Sequence, residues 1–326
     1  MSKSTQSPAL KTDLRPATIA IVGVGSVGAT TAYTLQLSGM VADIVLIDIN
    51  KDKAEGEFMD LNHAAPMTTE TQVRVGDYPD CADAAIVIIT GGANQKPGQT
   101  RMELAAKNAK IMEEIIPNVV KYAPDTILLI ATNPVDVLTY ASYKLSGFPA
   151  SRIIGSGTLL DSTRLRCNIG RYYGISSDSV EASIIGEHGD SELAVWSRAT
   201  IAGMSLAEFS AATQQKYNKE SLHKIFEHTR DAAYNIIKRK GYTAYGIAAA
   251  LTRIVEAILR DEGSLLTVSI VGNYYGVKDV ALSVPTKVGR DGAHHIMDLI
   301  LNQDETDRMK SSAKKIRSAC ESLGLD

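Results

Sequence analysis

Two short stretches in the second half of the chain carry side chains suited to acid–base chemistry. Asp161 and Arg164 are three residues apart in LDSTRLR, a spacing that places both on one face of a helix. His188 follows an apolar run and lies between two glycines in IIGEHGD. Histidine titrates near neutrality, a carboxylate can hold its tautomer, and the planar arginine fork matches a carboxylate. The set therefore indicates a site that binds a carboxylate and moves a proton.

Taken singly, these signals have ordinary structural alternatives. A histidine at the end of a strand is often a hydrogen-bonded structural residue, and an i,i+3 ion pair on a helix is often solvated, contributing about 1 kcal/mol or less. The other histidines have no comparable local context; they are His63, His223, His228, His294 and His295. His188 is thus the candidate acid–base residue.

A glycine-rich turn near the N-terminus predicts a phosphate-binding site. GVGSVG follows the apolar run TIAIV and opens a helix. Its glycines would allow a tight turn, close approach of a pyrophosphate and close helix–strand packing, and the helix N-terminus would stabilise negative charge. Asp48 lies 20 residues beyond Gly28 at the end of the next strand. The predicted cofactor contacts are Gly23, Gly25, Ser26, Val27, Gly28 and Asp48.

Asp48 also selects between the two nicotinamide dinucleotides. A carboxylate at this position can accept hydrogen bonds from the ribose hydroxyls of the adenosine and would repel a 2′-phosphate. The next residue is Ile49 rather than an arginine that could bind that phosphate. The sequence therefore predicts NAD as the cofactor. The alternative is a strand–helix unit whose glycines serve packing alone.

Five apolar runs in the first half of the chain predict buried strands. They are rich in β-branched residues, too short for helices and nearly continuously apolar, as expected of parallel strands covered on both faces. Helical stretches separate them, which predicts an α/β fold with a Rossmann-type, doubly wound parallel sheet over residues 17–155. The runs are 18–23, 43–48, 84–90, 126–132 and 151–155.

Beyond Gly155 the pattern changes to long helices and two long strands. Helices are predicted near 157–173, 219–240, 243–262 and 303–323, and strands at 179–185, 265–272 and 279–289. This mixture predicts an α+β catalytic domain over residues 156–326. Residues 1–16 are polar and are predicted to form a solvated N-terminal arm, available for a contact within an oligomer.

Composition argues against several classes of function. The net charge is −3, with no basic block, so nucleic acid is not expected as a partner. No apolar run approaches the roughly 20 residues needed to span a bilayer, and the N-terminus lacks the apolar core of a signal peptide. Three widely separated cysteines argue against a disulfide framework or a metal site. We therefore expect a soluble, cytoplasmic protein without a metal.

Seven motifs, in order and near the expected spacings, resemble the bacterial-type L-lactate dehydrogenases of the lactate/malate dehydrogenase family. The resemblance covers about residues 17–320. It implies reversible hydride transfer between NADH and pyruvate to give L-lactate, a place in glycolysis or fermentation, and a homotetramer. The motifs are GVGSVG, LID, GGANQKPGQTR, ATNPVD, GSGTLLDSTRLR, IIGEHGDSE and KGYTAYG.

The resemblance also implies a role for each site residue. His188 would be the proton donor and acceptor, Asp161 its partner, and Arg164 the ligand of the substrate carboxylate. Arg101 would polarise the substrate carbonyl when the glycine-bounded loop before it closes as a lid. The remaining implied substrate contacts are Asn133, whose peptide bond to Pro134 is expected to be cis, Thr243 near the substrate methyl group, and Gln95.

Gln95 separates lactate from malate as the substrate. Similar malate dehydrogenases carry arginine at this position, where it pairs with the second carboxylate of the substrate. A neutral glutamine would leave the distal carboxylate of oxaloacetate without a counter-charge, which costs several kcal/mol. Pyruvate and lactate are therefore favoured. Malate dehydrogenase, a broader L-2-hydroxy-acid dehydrogenase and a non-catalytic NAD-binding protein are the alternatives, and the intact acid–base set argues against the last.

Regulation by a sugar bisphosphate is not expected. Similar lactate dehydrogenases that are activated by fructose 1,6-bisphosphate use an arginine and a histidine at a subunit interface. Arg166 matches the arginine, but Glu181 stands where the histidine is expected. An acid at this position would repel a phosphate, and it would instead pair with Arg166 or meet it across the interface.

Overall fold

The computed structural model describes residues 17–94, 98 and 100–325. The arm predicted over residues 1–16 and the predicted discriminating residue Gln95 lie outside the described residues. The dominant feature is a nine-stranded sheet with helices packed against it. Alternate residues of its strands belong to two separate hydrophobic clusters, as in Ile19 and Ala20, because each strand is covered on both faces.

Six strands of the first half run parallel, and five of them lie within the predicted apolar runs. They are β1 (Thr18–Val22), β2 (Asp43–Ile47), β3 (Gln72–Val75), β4 (Ala84–Ile89), β5 (Ile127–Ile130) and β6 (Ile153–Gly155). Their order in the sheet is β3-β2-β1-β4-β5-β6. This order reverses direction at β1 and β4, and in a doubly wound sheet ligands bind at the carboxyl ends of the strands beside that reversal.

Four long helices connect these strands: α1 (Ser26–Ser38), α2 (Lys51–Ala64), α3 (Arg101–Tyr122) and α4 (Val135–Ser146). The Rossmann-type fold class is confirmed. Strand β3 was not predicted, because this edge strand, QVRV, alternates exposed and half-buried residues and contains no continuous apolar run.

The described part of the second half, which ends at residue 325, contains six α-helices and eight strands. The helices are α5 (Leu159–Tyr173), α6 (Leu206–Ala212), α7 (Lys219–Arg230), α8 (Ala232–Lys240), α9 (Tyr245–Leu259) and α10 (Gln303–Ser322). The strands are β7 (Val180–Glu181), β8 (Ile184–Ile185), β9 (Leu193–Ala194), β10 (Thr200–Ile201), β11 (Met204–Ser205), β12 (Ser264–Tyr274), β13 (Val277–Gly289) and β14 (Gly292–His294).

Three details of the second half differ from the sequence prediction. The strand predicted over residues 179–185 is two strands, since β7 pairs with β10 and β8 pairs with β9. The helix predicted over residues 219–240 ends at Arg230, and a new helix begins after Asp231. The long strands β12 and β13 and the short strand β14 extend the main sheet, because Ser269 of β12 pairs antiparallel with Gly155 of β6.

The described residues carry other features that bear on the sequence predictions. Cys81, Cys167 and Cys320 are free thiols. Among the helices that the structure describes, none has both the length and the hydropathy that crossing a bilayer requires.

Candidate active site

Buried hydroxyl groups fix α5 against β8, the strand that leads to His188. Thr158 Oγ1 donates to the Ile184 carbonyl at 2.6 Å, and Ser162 Oγ accepts from the Ile184 amide at 2.9 Å. Asp161 lies between these two hydroxyl residues, and His188 lies four residues beyond Ile184. The local hydrogen bonds therefore bring together two predicted site residues that are 27 positions apart.

Asp161 connects His188 and Arg164. Its Oδ2 lies 2.6 Å from His188 Nδ1, and its Oδ1 accepts from Arg164 Nη1 at 2.9 Å. The carboxylate side chain is 4% exposed, whereas the Arg164 side chain is 19% exposed and reaches the cavity. With Nδ1 directed at Asp161, Nε2 is the ring nitrogen of His188 left to face a substrate.

The charges around His188 keep it protonated at neutral pH. Burial by itself lowers the pKa of His188, but attraction to Asp161, with smaller contributions from Asp136 and Glu192, outweighs it and raises this pKa to about 9. Burial also opposes ionisation of Asp161, but His188 and Arg164 hold the pKa of that carboxyl below its ordinary value. The pair is therefore an imidazolium–carboxylate pair.

A second buried carboxylate, Asp136, binds the backbone of the loop after β8 that contains His188. Its Oδ2 accepts from the His188 amide at 2.7 Å and its Oδ1 accepts from Ser269 Oγ at 2.6 Å. Burial raises the pKa of Asp136 to about 6, although both hydrogen bonds and the His188 charge favour its ionised form. Asp136 thus ties the start of α4 to β12 and to the histidine.

A capping box determines where α3 begins and hence where Arg101 lies. The Glu103 amide donates to Thr100 Oγ1 at 3.2 Å, and the Thr100 amide donates to Glu103 Oε2 at 2.8 Å. These reciprocal bonds satisfy two free amides at the helix start. Arg101 is the first helical residue and its side chain extends into the cavity.

The guanidinium of Arg101 is held by groups from three directions. Nη2 donates to the Tyr234 hydroxyl at 2.6 Å and to Asp190 Oδ1 at 3.1 Å, and Nη1 lies 3.5 Å from Glu187 Oε1. Glu187 is buried and also accepts from Lys315 Nζ at 2.8 Å. These contacts therefore fix the orientation of the Arg101 guanidinium at the cavity.

These side chains converge on a cavity of about 160 Å³. Among the predicted residues, His188, Asp161, Arg164, Arg101 and Asn133 line it.

The Asn133 carbonyl accepts from Asn108 Nδ2 at 2.7 Å, and the Asn133–Pro134 peptide is cis, as the resemblance implied. Thr243 is half-buried and is not part of this lining. The apolar part of the wall comprises Leu104, Pro134, Ala233 and Ile237.

The cavity lining also includes polar residues that were not assigned to the site from the sequence, among them Glu192, Arg230 and Tyr234. Glu192 lies in the loop before β9, Arg230 ends α7 and Tyr234 is on α8. The sequence around each of them contains no pattern that predicts a place in the site. One ligand-type atom each of Asp161, His188 and Glu192 lies within 4.8 Å of the others. Both Asp161 oxygens are already bonded to His188 and Arg164, so these three groups form an acid–base set and not a cation cage.

The glycine-rich turn forms a close-packed bend at the carboxyl end of β1. Gly23 has a φ of +97°, and a Cβ there would lie 2.3 Å from the Gly91 nitrogen. A Cβ on Gly28 would lie 2.0 Å from the Gly23 carbonyl oxygen. Both positions therefore exclude any side chain. At Gly25 a Cβ would meet no atom within 4 Å, so the backbone there faces open space in which a phosphate group can approach.

The residues around this bend fit NAD. Gly25 caps α1 without a side-chain hydrogen bond, which leaves the first amides of the helix, from Ser26 and Val27 onward, for an anion. Asp48 lies beside the turn, since its Oδ2 accepts from the Val24 amide at 2.7 Å. The next residue, Ile49, is 98% exposed and carries no charge that could bind a 2′-phosphate.

Two family profiles match almost the whole described chain. The lactate/malate dehydrogenase NAD-binding domain matches residues 17–155, and the alpha/beta C-terminal domain of the same enzymes matches residues 158–323. The chain belongs to the lactate/malate dehydrogenase family. Members of this family are NAD-dependent oxidoreductases, and the predicted resemblance is confirmed.

Individual members of the family are similar over nearly their full length. A probable L-lactate dehydrogenase of Schizosaccharomyces pombe is 57% identical over 94% of this chain and 93% of its own length. L-lactate dehydrogenase 1 of Clostridium acetobutylicum is 48% identical over 94% of this chain and 98% of its own.

Solved lactate dehydrogenases have the same fold. A lactate dehydrogenase from a Medee basin deep-sea metagenome library superposes with a TM-score of 0.91 at 42% identity, covering 95% of this chain and 100% of its own. The minor L-lactate dehydrogenase of Enterococcus mundtii gives 0.91 at 39% identity, covering 95% and 99%.

Arg166 and Glu181 lie apart from the cavity. Arg166 Nη2 donates to Thr163 Oγ1 at 3.4 Å, and Glu181 is exposed on β7. The salt bridges found among the described residues do not include an Arg166–Glu181 pair, so pairing of the two within one chain, one of the two expected arrangements, is absent from this part of the protein.

Proposed function

We propose that this protein is an L-lactate dehydrogenase, which interconverts pyruvate and L-lactate with NADH and NAD. The observation that carries the proposal is the hydrogen-bonded series His188–Asp161–Arg164 beside Arg101 in a single cavity. It is supported by relatives that are named L-lactate dehydrogenases at 48% and 57% identity. We propose that residues 17–155 form the domain that binds the dinucleotide, and that residues 156–326 form the catalytic domain, which contributes most of the residues that act on the substrate.

The chain's own side chains account for binding, polarisation and proton transfer. Arg164 binds the substrate carboxylate, and its two-pronged donor geometry fixes the orientation of the molecule. Arg101 and the Nε2–H of His188 donate to the carbonyl oxygen, where negative charge develops during reduction. NAD, when bound, supplies the hydride donor and acceptor. His188 Nε2 then transfers its proton to the new hydroxyl oxygen, and Asp161 stabilises the imidazolium before the transfer.

Opposite pH dependences are expected for the two directions of the reaction. Pyruvate reduction requires protonated His188, so ionisation of this group should lower kcat/KM for pyruvate about tenfold per pH unit above a pKa of about 9. Lactate oxidation requires neutral His188, so kcat/KM for lactate should rise about tenfold per unit up to the same pH. Initial rates in both directions between about pH 6 and 10 test this assignment. Parallel profiles in the two directions would contradict it.

Removing the carboxylate of Asp48 should weaken NADH binding and reduce the preference over NADPH. Hydrogen bonds to a charged group contribute about 1.5–3 kcal/mol, so Asp48→Ser should raise the KM for NADH about 10- to 100-fold. The KM for NADPH should fall, since repulsion of the 2′-phosphate is removed. Asp60→Ser, a change of the same kind at an exposed position of α2, is the control and should leave both values unchanged. An unaltered ratio of NADH to NADPH use in Asp48→Ser would remove Asp48 from the site.

Rates with pyruvate and with oxaloacetate, measured side by side with NADH, test the substrate assignment. We expect kcat/KM for pyruvate to exceed that for oxaloacetate by about a hundredfold or more, because a second carboxylate would be buried without a counter-charge. The malate alternative has one structural point in its favour, since Arg230 is an additional cation in the cavity. However, its Nε donates to Asp231 at 2.9 Å.

A preference for oxaloacetate would establish the malate alternative and identify Arg230 or another group as the counter-charge. A preference for a branched 2-oxo acid would establish the broader L-2-hydroxy-acid dehydrogenase. NADH binding without turnover of any 2-oxo acid would favour the non-catalytic alternative. We further propose that the protein is a cytoplasmic homotetramer of glycolysis or fermentation, and that fructose 1,6-bisphosphate does not lower its KM for pyruvate, since Glu181 is an exposed acid.

A further inference from the structure

The cavity contains a buried carboxyl group to which the mechanism above gives no role. Glu192 is 3% exposed, yet it lines the cavity together with Arg164 and His188. Its Oε1 has no hydrogen-bond partner among residues 17–94, 98 and 100–325. A buried carboxylate normally has its oxygens satisfied by donors, because burial of an unpaired charge is strongly unfavourable. The protonation state of Glu192 therefore depends on the charges that surround it.

Charges of both signs face Glu192 from three parts of the fold. Asp161 and Arg164 approach from α5, His188 from the same loop as Glu192, and Arg230 from the end of α7. Burial and repulsion from Asp161 raise the pKa of Glu192 well above its ordinary value, although His188, Arg164 and Arg230 oppose the rise. With a pKa of about 8, Glu192 of the free protein is a carboxylate only at alkaline pH, where these cations partly compensate its charge.

An anionic substrate changes this balance. In the function proposed above, on which this inference rests, the carboxylate of the 2-oxo acid pairs with Arg164. That carboxylate adds a negative charge to a cavity that already contains Asp161 and Glu192, and it takes over one of the cations that face Glu192. Asp161 keeps its charge through its bonds to His188 and Arg164. Glu192 has no such bond at Oε1, so it is the group that accepts a proton.

We propose that Glu192 binds a proton when a 2-oxo acid anion binds at Arg164, and that it acts as a positioning residue which keeps the substrate site neutral. The neutral acid is also a hydrogen-bond donor within the cavity, which a carboxylate is not. Substrate affinity then depends on two protonations, one at His188 and one at Glu192. The alkaline limit of substrate binding is thus set by the carboxyl group as well as by the histidine.

Binding of oxamate, the amide isostere of pyruvate, to the enzyme–NADH complex measures this coupling without turnover. The dissociation constant is determined from about pH 6 to about 10.5 in the wild-type protein. Two required protons give a plot of log Kd against pH with a limiting slope of about two at high pH, and one required proton gives about one. A wild-type slope of one would contradict the proposal before any variant is made.

Glu192→Gln keeps the size and shape of the side chain but cannot ionise. We expect its slope to fall to about one, with a Kd for oxamate near pH 6 within a few-fold of the wild-type value. Glu220→Gln, which removes the same charge at a position with a 74% exposed side chain, should keep the wild-type slope. Proton uptake on binding near pH 9, measured with an indicator dye in weak buffer, should be larger by nearly one proton in wild type than in Glu192→Gln.

The outcomes separate this inference from the proposed function. If Arg164→Gln binds oxamate as tightly as wild type, the carboxylate site itself is misassigned and the proposed function loses its basis. If Arg164→Gln loses binding while Glu192→Gln and wild type share one slope and one proton uptake, only the role of Glu192 is overturned. A Glu192→Gln protein that binds NADH but loses oxamate at every pH would also overturn it, because a residue needed only as a neutral acid is replaced by a neutral amide.

Discussion

Replacing His188 with glutamine is expected to lower kcat for pyruvate reduction about a thousandfold or more. The imidazolium at Nε2 is the proton source in the proposed reaction, and it also stabilises the developing charge on the substrate oxygen. General acid catalysis alone accounts for about 10²- to 10⁴-fold, and the lost electrostatic stabilisation adds to it. Glutamine can still donate one hydrogen bond but cannot deliver a proton. Initial rates with saturating NADH and pyruvate measure the loss.

The pH profile distinguishes loss of the acid from general damage to the site. In His188→Gln the residual rate should no longer decline as the pH passes about 9, since the group with that pKa is gone. NADH affinity should stay within a few-fold of wild type, because the dinucleotide turn lies on β1 and α1. His228→Gln, at an exposed position on α7, is the matched control and should retain full activity. A His188→Gln variant that keeps a tenth of the wild-type rate would assign the proton transfer to another group.

The parts of the site that the sequence predicts are those whose chemistry is written in adjacent residues. The GVGSVG turn is recognisable because its glycines are needed for backbone packing, as the blocked positions at Gly23 and Gly28 show. His188 is recognisable because it lies between glycines after an apolar run. Asp161 and Arg164 could be placed on one helix face from their spacing alone, and the 2.9 Å bond between them agrees with that placement.

Residues that reach the site from distant parts of the chain could not be predicted in this way. Asp136 accepts a hydrogen bond from the amide of His188, which is 52 positions away in the sequence. Its own sequence context is that of an ordinary acidic residue in the first turn of a helix. Tyr234 is 133 positions from Arg101 and looks like an exposed residue of a basic helix. Glu192 follows HGDS with no pattern of its own. Their roles depend on how α4, α8 and the loop before β9 pack together, which local patterns do not determine.

The same limit applies to the sheet. Continuous apolar runs predict the buried parallel strands, but the half-exposed edge strand β3 has no such run. The sequence predicts a separate mixed domain for β12 and β13, and it contains no indication that Ser269 pairs with Gly155. This pairing affects the site, because Ser269 also donates a hydrogen bond to Asp136, and Asp136 accepts one from the His188 amide. The join between the two halves of the chain therefore helps to position the histidine.

Replacing Arg164 with glutamine is expected to lower kcat/KM for pyruvate about 10²- to 10⁴-fold. Leaving one partner of a largely buried ion pair without its counter-charge costs about 3–5 kcal/mol, and each 1.36 kcal/mol corresponds to about a factor of ten. Most of the loss should appear as an increase in KM, because the pairing with the substrate carboxylate exists in the ground state as well as in the transition state. Steady-state kinetics over a wide range of pyruvate concentrations separates the two parameters.

Arg166 provides a matched control on the same helix. It lies two residues further along α5, outside the cavity lining, so Arg166→Gln removes the same charge and should leave KM for pyruvate nearly unchanged. Arg164→Lys keeps the charge but loses the two-pronged geometry, and its KM should lie between those of wild type and Arg164→Gln. If Arg164→Gln and Arg166→Gln raise KM equally, the effect of Arg164 is a long-range charge effect, and the substrate carboxylate must bind elsewhere in the cavity.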